Sequence, residues 1–158
     1  MITLTPQSYE PTSSDYATLD VRNLHPVLDF DATTDESAVW TAVLPSSYAA
    51  GGLTVEIGWA GDGVTTGNVV WNAAIERIGD DQLDLDADSF AAANAVTDTT
   101  SSTDGNVVVA TITFTDGADM DSVAAGEGFR IKITRDADNA SDTMAADAQL
   151  CWVYIKET

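Results

Sequence analysis

The chain has 158 residues and a mass of 16.6 kDa, one domain's worth, long enough to bury a single sizeable core. Six Lys+Arg against 26 Asp+Glu leave a net charge of −20, a surface that phosphates repel, which excludes nucleic acid or anionic lipid as the main partner. No apolar run approaches the length of a membrane span, the N-terminus shows no secretory signal, and the lone cysteine, Cys151, excludes an intrachain disulfide framework or a Cys-built metal site.

Residues 1–15 read as an arm. Pro6 and Pro11, with Ser8, Thr12, Ser13 and Ser14, supply extended-chain and turn chemistry and little to bury. Tyr9 and Tyr16 can each bury a ring while satisfying a hydroxyl, and Leu24, His25 and Pro26 mark an extended hinge where the arm joins the body. The expected division is therefore an arm and hinge over 1–26 and a domain over 27–158. The arm is expected to reach a neighbouring subunit or another surface.

Short strands follow, at Val27–Asp31, Ala38–Leu44, Leu53–Trp59 and Asn68–Ile78. The clearest is Leu53–Trp59, where Leu53, Val55, Ile57 and Trp59 alternate with Thr54, Glu56 and Gly58, the period of a half-buried strand. Ser89–Val96 reads as an eighth strand or as a short helix begun by Asp88 as N-cap. Val108–Thr115 and Phe129–Thr134 alternate cleanly, with a single helical turn between them at Asp121–Ala125. In the last strand, Ala148–Lys156, both faces are apolar: Leu150, Trp152 and Tyr154 on one, Cys151, Val153 and Ile155 on the other. Such a strand needs a covering segment or a partner molecule. Many short strands, an Asp-rich composition (20 Asp to 6 Glu) and no long helix period predict an all-β sandwich or small barrel.

Chemistry is sparse. His25 precedes Pro26 with no nucleophile elbow anywhere to pair with it, and Cys151 lies in a strand without a cation to activate it. No phosphate-binding glycine loop is present. Catalytic residues are therefore not expected, and neither is a cofactor. Asp84, Asp86 and Asp88 have the one-three-five spacing of a calcium loop, but Ser89 and Ala95 stand where the glycine and bidentate Glu belong, so a structural calcium is the weaker alternative. Asp136, Asp138, Asn139 and Asp142 form a second oxygen-rich loop. Trp40, Trp59 and Trp71 fall on core-facing positions, whereas Trp152 and Tyr154 are candidates for an interface.

Val43-Leu-Pro-Ser-Ser-Tyr48, Gly51-Gly-Leu-Thr-Val55, Gly67-Asn-Val-Val-Trp71, Phe129–Arg135, Asp142-Thr-Met and Asp147-Ala-Gln-Leu150 together resemble small jelly-roll structural proteins of tailed bacteriophages. The resemblance covers roughly residues 27–158. It implies a jelly-roll sandwich of about eight antiparallel strands and a non-enzymatic virion protein on the outer surface of capsid or tail. The role implied first is a decoration (cement) protein that binds the major capsid protein and stabilises the head shell as a homotrimer. Tyr9, Tyr16, Leu24, His25, Pro26, Trp152 and Tyr154 are then the expected interface. The alternative is a β-sandwich carbohydrate-binding module associated with a tail or fibre, in which exposed aromatic rings stack on sugars.

Overall fold

A computed structural model describes residues 1–87 and 89–158. The jelly roll is built from eight strands: β4 (His25–Phe30), β5 (Glu36–Val43), β6 (Leu53–Gly61), β7 (Asn68–Ile78), β8 (Asn94–Thr99), β9 (Val108–Phe114), β10 (Gly128–Arg135) and β11 (Ala148–Glu157). They form two antiparallel sheets in the orders β4-β11-β6-β9 and β5-β10-β7-β8, the interleaved order that two Greek keys produce. The expected fold class is the observed one.

Three further strands come from the first 26 residues: β1 (Ile2–Leu4), β2 (Glu10–Pro11) and β3 (Thr18–Arg22). β1 pairs with the second half of β11, β2 with β5, and β3 with β4 at the edge of the first sheet. The segment expected to reach a neighbour is thus laid across its own body. Leu4 is buried in the core, and the buried indole of Trp40 donates its Nε1 hydrogen to the Thr5 carbonyl at 3.0 Å. The hinge expected at Leu24–Pro26 is instead a hairpin. Arg22 pairs with His25, and Asn23 and Leu24, with φ of 48° and 71°, form the two-residue turn that the twist of antiparallel strands selects. Leu24 stands almost wholly exposed at its tip.

Deleting residues 1–15 is accordingly expected to destabilise the domain. Burial of Leu4 contributes about 1.5–3 kcal/mol and the bond to a buried indole about 1–2 kcal/mol. Differential scanning calorimetry should show Tm falling on the order of 10 °C. An unchanged Tm would mean that β1 adds nothing.

The core lies between the sheets. Leu53, Val55, Ile57 and Trp59 of β6 meet Trp71, Ala73 and Ile75 of β7 and Phe129, Ile131 and Ile133 of β10. Trp40, Trp59 and Trp71 are all buried, as their alternation predicts; Trp71 takes the edges of Phe30 and Trp59 at centroid distances of 5.1 and 5.9 Å. The β10 alternation runs one residue beyond the apolar pattern, so Arg135 also faces inward, paired with Asp142.

Residues 89–96, open in the sequence between strand and helix, contain the start of β8 at Asn94, whose edge pairs with β7. The proposed N-cap, Asp88, lies outside the described residues. The helical turn expected at Asp121–Ala125 occurs earlier, as a 3-10 turn at Ala118–Met120. Asp121 and Ser122 have positive φ, which ends a right-handed turn rather than continuing one.

The outer faces of the two sheets differ. The connection from β7 to β8 returns over the second sheet, where the Ser89 amide and hydroxyl donate to buried Glu76 and the Ala91 amide donates to the Ile75 carbonyl. Arg130 and Lys132 meet the Phe90 ring there at 5.5 and 4.4 Å. Among the described residues no such segment covers β11 on the first sheet, and a cleft opens there.

Candidate functional site

The cleft exists because β11 carries a bulge. Its register against β6 shifts between Leu150 and Trp152, leaving Cys151 as the extra residue. The two apolar faces read from strict alternation are therefore recombined. Leu150, Val153 and Ile155 all enter the core, while Trp152 and Tyr154 turn outward together.

Trp152 lies opposite Gly58 of β6. A Cβ at position 58 would sit 2.2 Å from Cε2 of the indole, so only glycine admits the ring at this place. Trp152 forms one wall of a cleft of about 640 Å3, within the range of small-molecule sites. Val27, Ala60, Gln149 and Cys151 also line it. The 3-10 turn after β1 brings Pro6 and Gln7 to it, the β3–β4 hairpin brings Asn23, His25 and Pro26, and the loop before β9 brings Asp104, Asn106 and Val107.

Arg22 holds these parts together. Its Nη1 donates to the Gly61 carbonyl at 3.0 Å and to Gln149 Oε1 at 2.8 Å, and its Nη2 donates to Asp104 Oδ1 at 2.9 Å. The guanidinium, by hydrogen bond and charge, holds the Asp104 carboxyl below the usual carboxylate range. Burial pushes the Cys151 thiol up, so at neutral pH it is a polar wall group and not a thiolate.

Gln149 stands opposite Asp29 in the register of β11 against β4, and Asp29 Oδ1 is buried without a partner. Burial raises the Asp29 carboxyl, Gln149 opposes this, and the charges of Asp20, Asp147 and Asp62 add to the rise. Folding thus disfavours the ionised form. That cost is full above the folded pKa and absent below the ordinary carboxylate value. Asp29→Asn is expected to raise Tm at pH 7 and to leave it equal to wild type near pH 3. The same gain at both pH values would refute the electrostatic cause.

Of the residues singled out in the sequence, His25, Pro26 and Trp152 meet in the cleft. Tyr154 shares the outward face, but its hydroxyl meets the sulfur of Met1. Tyr9 packs partly buried against the core, Tyr16 is about half exposed beside it, and Leu24 projects at the hairpin tip; none of the three lines the cleft. Arg22, Gln149 and the Asp104–Val107 loop were not singled out. The available signal was Gly58, a glycine inside an alternating strand, which marks a close approach by another group.

The acidic loops do not join this site. Asp84 accepts the amide of Asp86 in a local turn, and Asp88 lies outside the described residues. Asp142 of the second loop is committed to Arg135. Asp35, Asp136 and Asp138 bring one carboxylate oxygen each within 4.8 Å of one another, and Asp35 accepts the amides of Ala137 and Asp138. In the cleft, Asp104 is the one lining carboxylate among the described residues, and it is paired with Arg22. The arrangement of an aromatic wall, side-chain amides and a fixed guanidinium is suited to holding a polar ligand. Among the described residues no helix is long and apolar enough to cross a membrane.

No family model and no curated protein matches the chain in sequence. Among solved structures, a family 35 carbohydrate-binding module from an environmental isolate is similar at a TM-score of 0.60, 14% identity, over 99% of this chain and 93% of that one. A second family 35 module, from Cellvibrio japonicus, is similar at 0.57 and 14% identity, over 98% and 91%. A xylan-binding domain of family 22 from Paenibacillus barcinonensis is similar at 0.54 and 10% identity, over 99% of each chain. At these identities the likeness is one of fold: a β-sandwich jelly roll.

Proposed function

We propose that the chain is a non-catalytic carbohydrate-binding module that holds a glycan in the cleft of the first sheet. The observation that carries this reading is the placement of Trp152 over Gly58 as the wall of a cleft whose lining also includes the amides of Gln7, Asn23, Asn106 and Gln149 and a tethered arginine. Sugar rings present an apolar face, which an indole covers, and a rim of hydroxyls, which Gln7, Asn23 and Asn106 can meet as donors and acceptors. The named functions of the proteins that share the fold support the same reading. Of the two roles drawn from the sequence, this favours the sugar-binding module over the head-decoration role implied by the phage resemblance.

The test is a glycan array with the full chain, followed by isothermal titration calorimetry on the retained sugars. Retention of at least one oligosaccharide at micromolar to millimolar Kd is expected. A protein that retains none, yet sediments with phage particles as a trimer, would overturn the proposal in favour of decoration.

A further inference from the structure

Resting on that sugar-binding reading, we propose that the cleft selects uncharged glycans and rejects those bearing carboxylate or sulfate groups. Among the six Lys and Arg residues, Arg22 alone lines the cleft. Arg22 already has its counter-charge: both hydrogens of Nη1 go to Gly61 and Gln149, and Nη2 donates to the Asp104 carboxylate, so an anionic ligand would have to compete with Asp104 for it. Its charge is further offset by Asp62, 3.9 Å from Nη1.

Around this neutralised pair the field is negative. Asp29 stands opposite Gln149 in the register of β4 against β11, Asp20 lies on the adjoining β3 opposite Val27, and the Asp62 amide donates to the Asp147 carbonyl at 3.0 Å; besides burial, the charges of Asp20, Asp147 and Asp62 raise the Asp29 carboxyl. None of the protein's other five cations lines the cleft: Arg77, Arg130, Arg135 and Lys156 are each paired with a carboxylate elsewhere, and Lys132 lies on Phe90 over the second sheet. A glycan carboxylate entering here would meet uncompensated like charge within a Debye length, about 8 Å at physiological salt, with no free guanidinium or ammonium to receive it. Hydroxyls carry no such penalty, and side-chain amides bond them in either direction.

The experiment uses the full chain and pairs matched in backbone but differing in charge: oligogalacturonate against its methyl ester, and glucuronoxylan fragments against unsubstituted xylo-oligosaccharides, with neutral gluco-, manno- and galacto-oligosaccharides alongside. Binding is read at low and high salt. The expected result is retention of neutral members, with acidic partners weaker by about tenfold at low salt and the gap closing as salt screens the field. In the Asp20→Asn/Asp147→Asn variant the gap should narrow without added salt. Acidic members binding as well as or better than neutral ones at low salt would overturn charge selection and leave sugar binding standing. Retention of no sugar, neutral or acidic, would overturn the sugar-binding reading itself, and charge selection with it.

Discussion

Trp152→Ala is expected to abolish measurable glycan binding while leaving the domain folded. The indole is partly exposed, lies outside the core formed by Leu150, Val153 and Ile155, and walls the cleft alone among the tryptophans, since the other three are buried between the sheets. A central aromatic anchor in a binding site is worth about 2 kcal/mol, roughly a thirtyfold loss in affinity, which takes a weak sugar-binding protein beyond the range of calorimetry. Stability should change little, because truncation removes a half-buried side chain and leaves no closed cavity. Gly58→Val is the companion variant. It keeps the tryptophan but occupies the position of its ring, where a Cβ would already lie 2.2 Å from Cε2. Loss of binding in both variants, at near-native Tm in Trp152→Ala, would show that the ring acts by its placement. Trp152→Ala binding as wild type would remove the cleft from the functional account.

The largest stability effect is expected from Asp142→Ala. Arg135 is wholly buried, and Asp142 receives its Nε and Nη2 at 3.0 and 2.9 Å. Arg135 also donates to the carbonyls of Phe30, Met144 and Ala146, so it joins β10 in one sheet to β4 in the other and to the loop leading into β11. Asp142 in turn accepts the amide of Val70. Alanine at 142 leaves a buried guanidinium without its counter-charge and a strand amide without its acceptor, a loss of about 3–5 kcal/mol. For a domain of this size Tm should fall on the order of 10 °C or more in thermal denaturation. The double variant Arg135→Met/Asp142→Leu should be more stable than Asp142→Ala alone, because the isolated charge is gone, yet less stable than wild type, because three carbonyls lose a donor. A single mutant within 1 kcal/mol of wild type would show that water reaches the guanidinium.

The sequence by itself determined the all-β class and seven of the eight jelly-roll strands, because each strand with one face on the core repeats apolar residues at a period of two. Leu53–Trp59 and Phe129–Ile133 are legible for that reason, and the burial of Trp40, Trp59 and Trp71 follows from the same alternation. β3 was missed because an edge strand such as Thr18–Arg22, exposed along most of its length, carries no core-facing pattern. β1 was missed because three residues are too short to show one; their place is fixed by hydrogen bonds to β11, 150 residues away in sequence. The site depended on tertiary structure still more. The bulge at Cys151 changes which residues share a face, and alternation assumes that no such extra residue exists. Asp104 and Gln149 lie 82 and 127 residues from Arg22 in the chain, and the three meet only because the sheet and its hairpin bring them to one cleft. His25 and Trp152 were singled out as interface residues for a partner; it is the folded sheet that makes them two sides of one cavity.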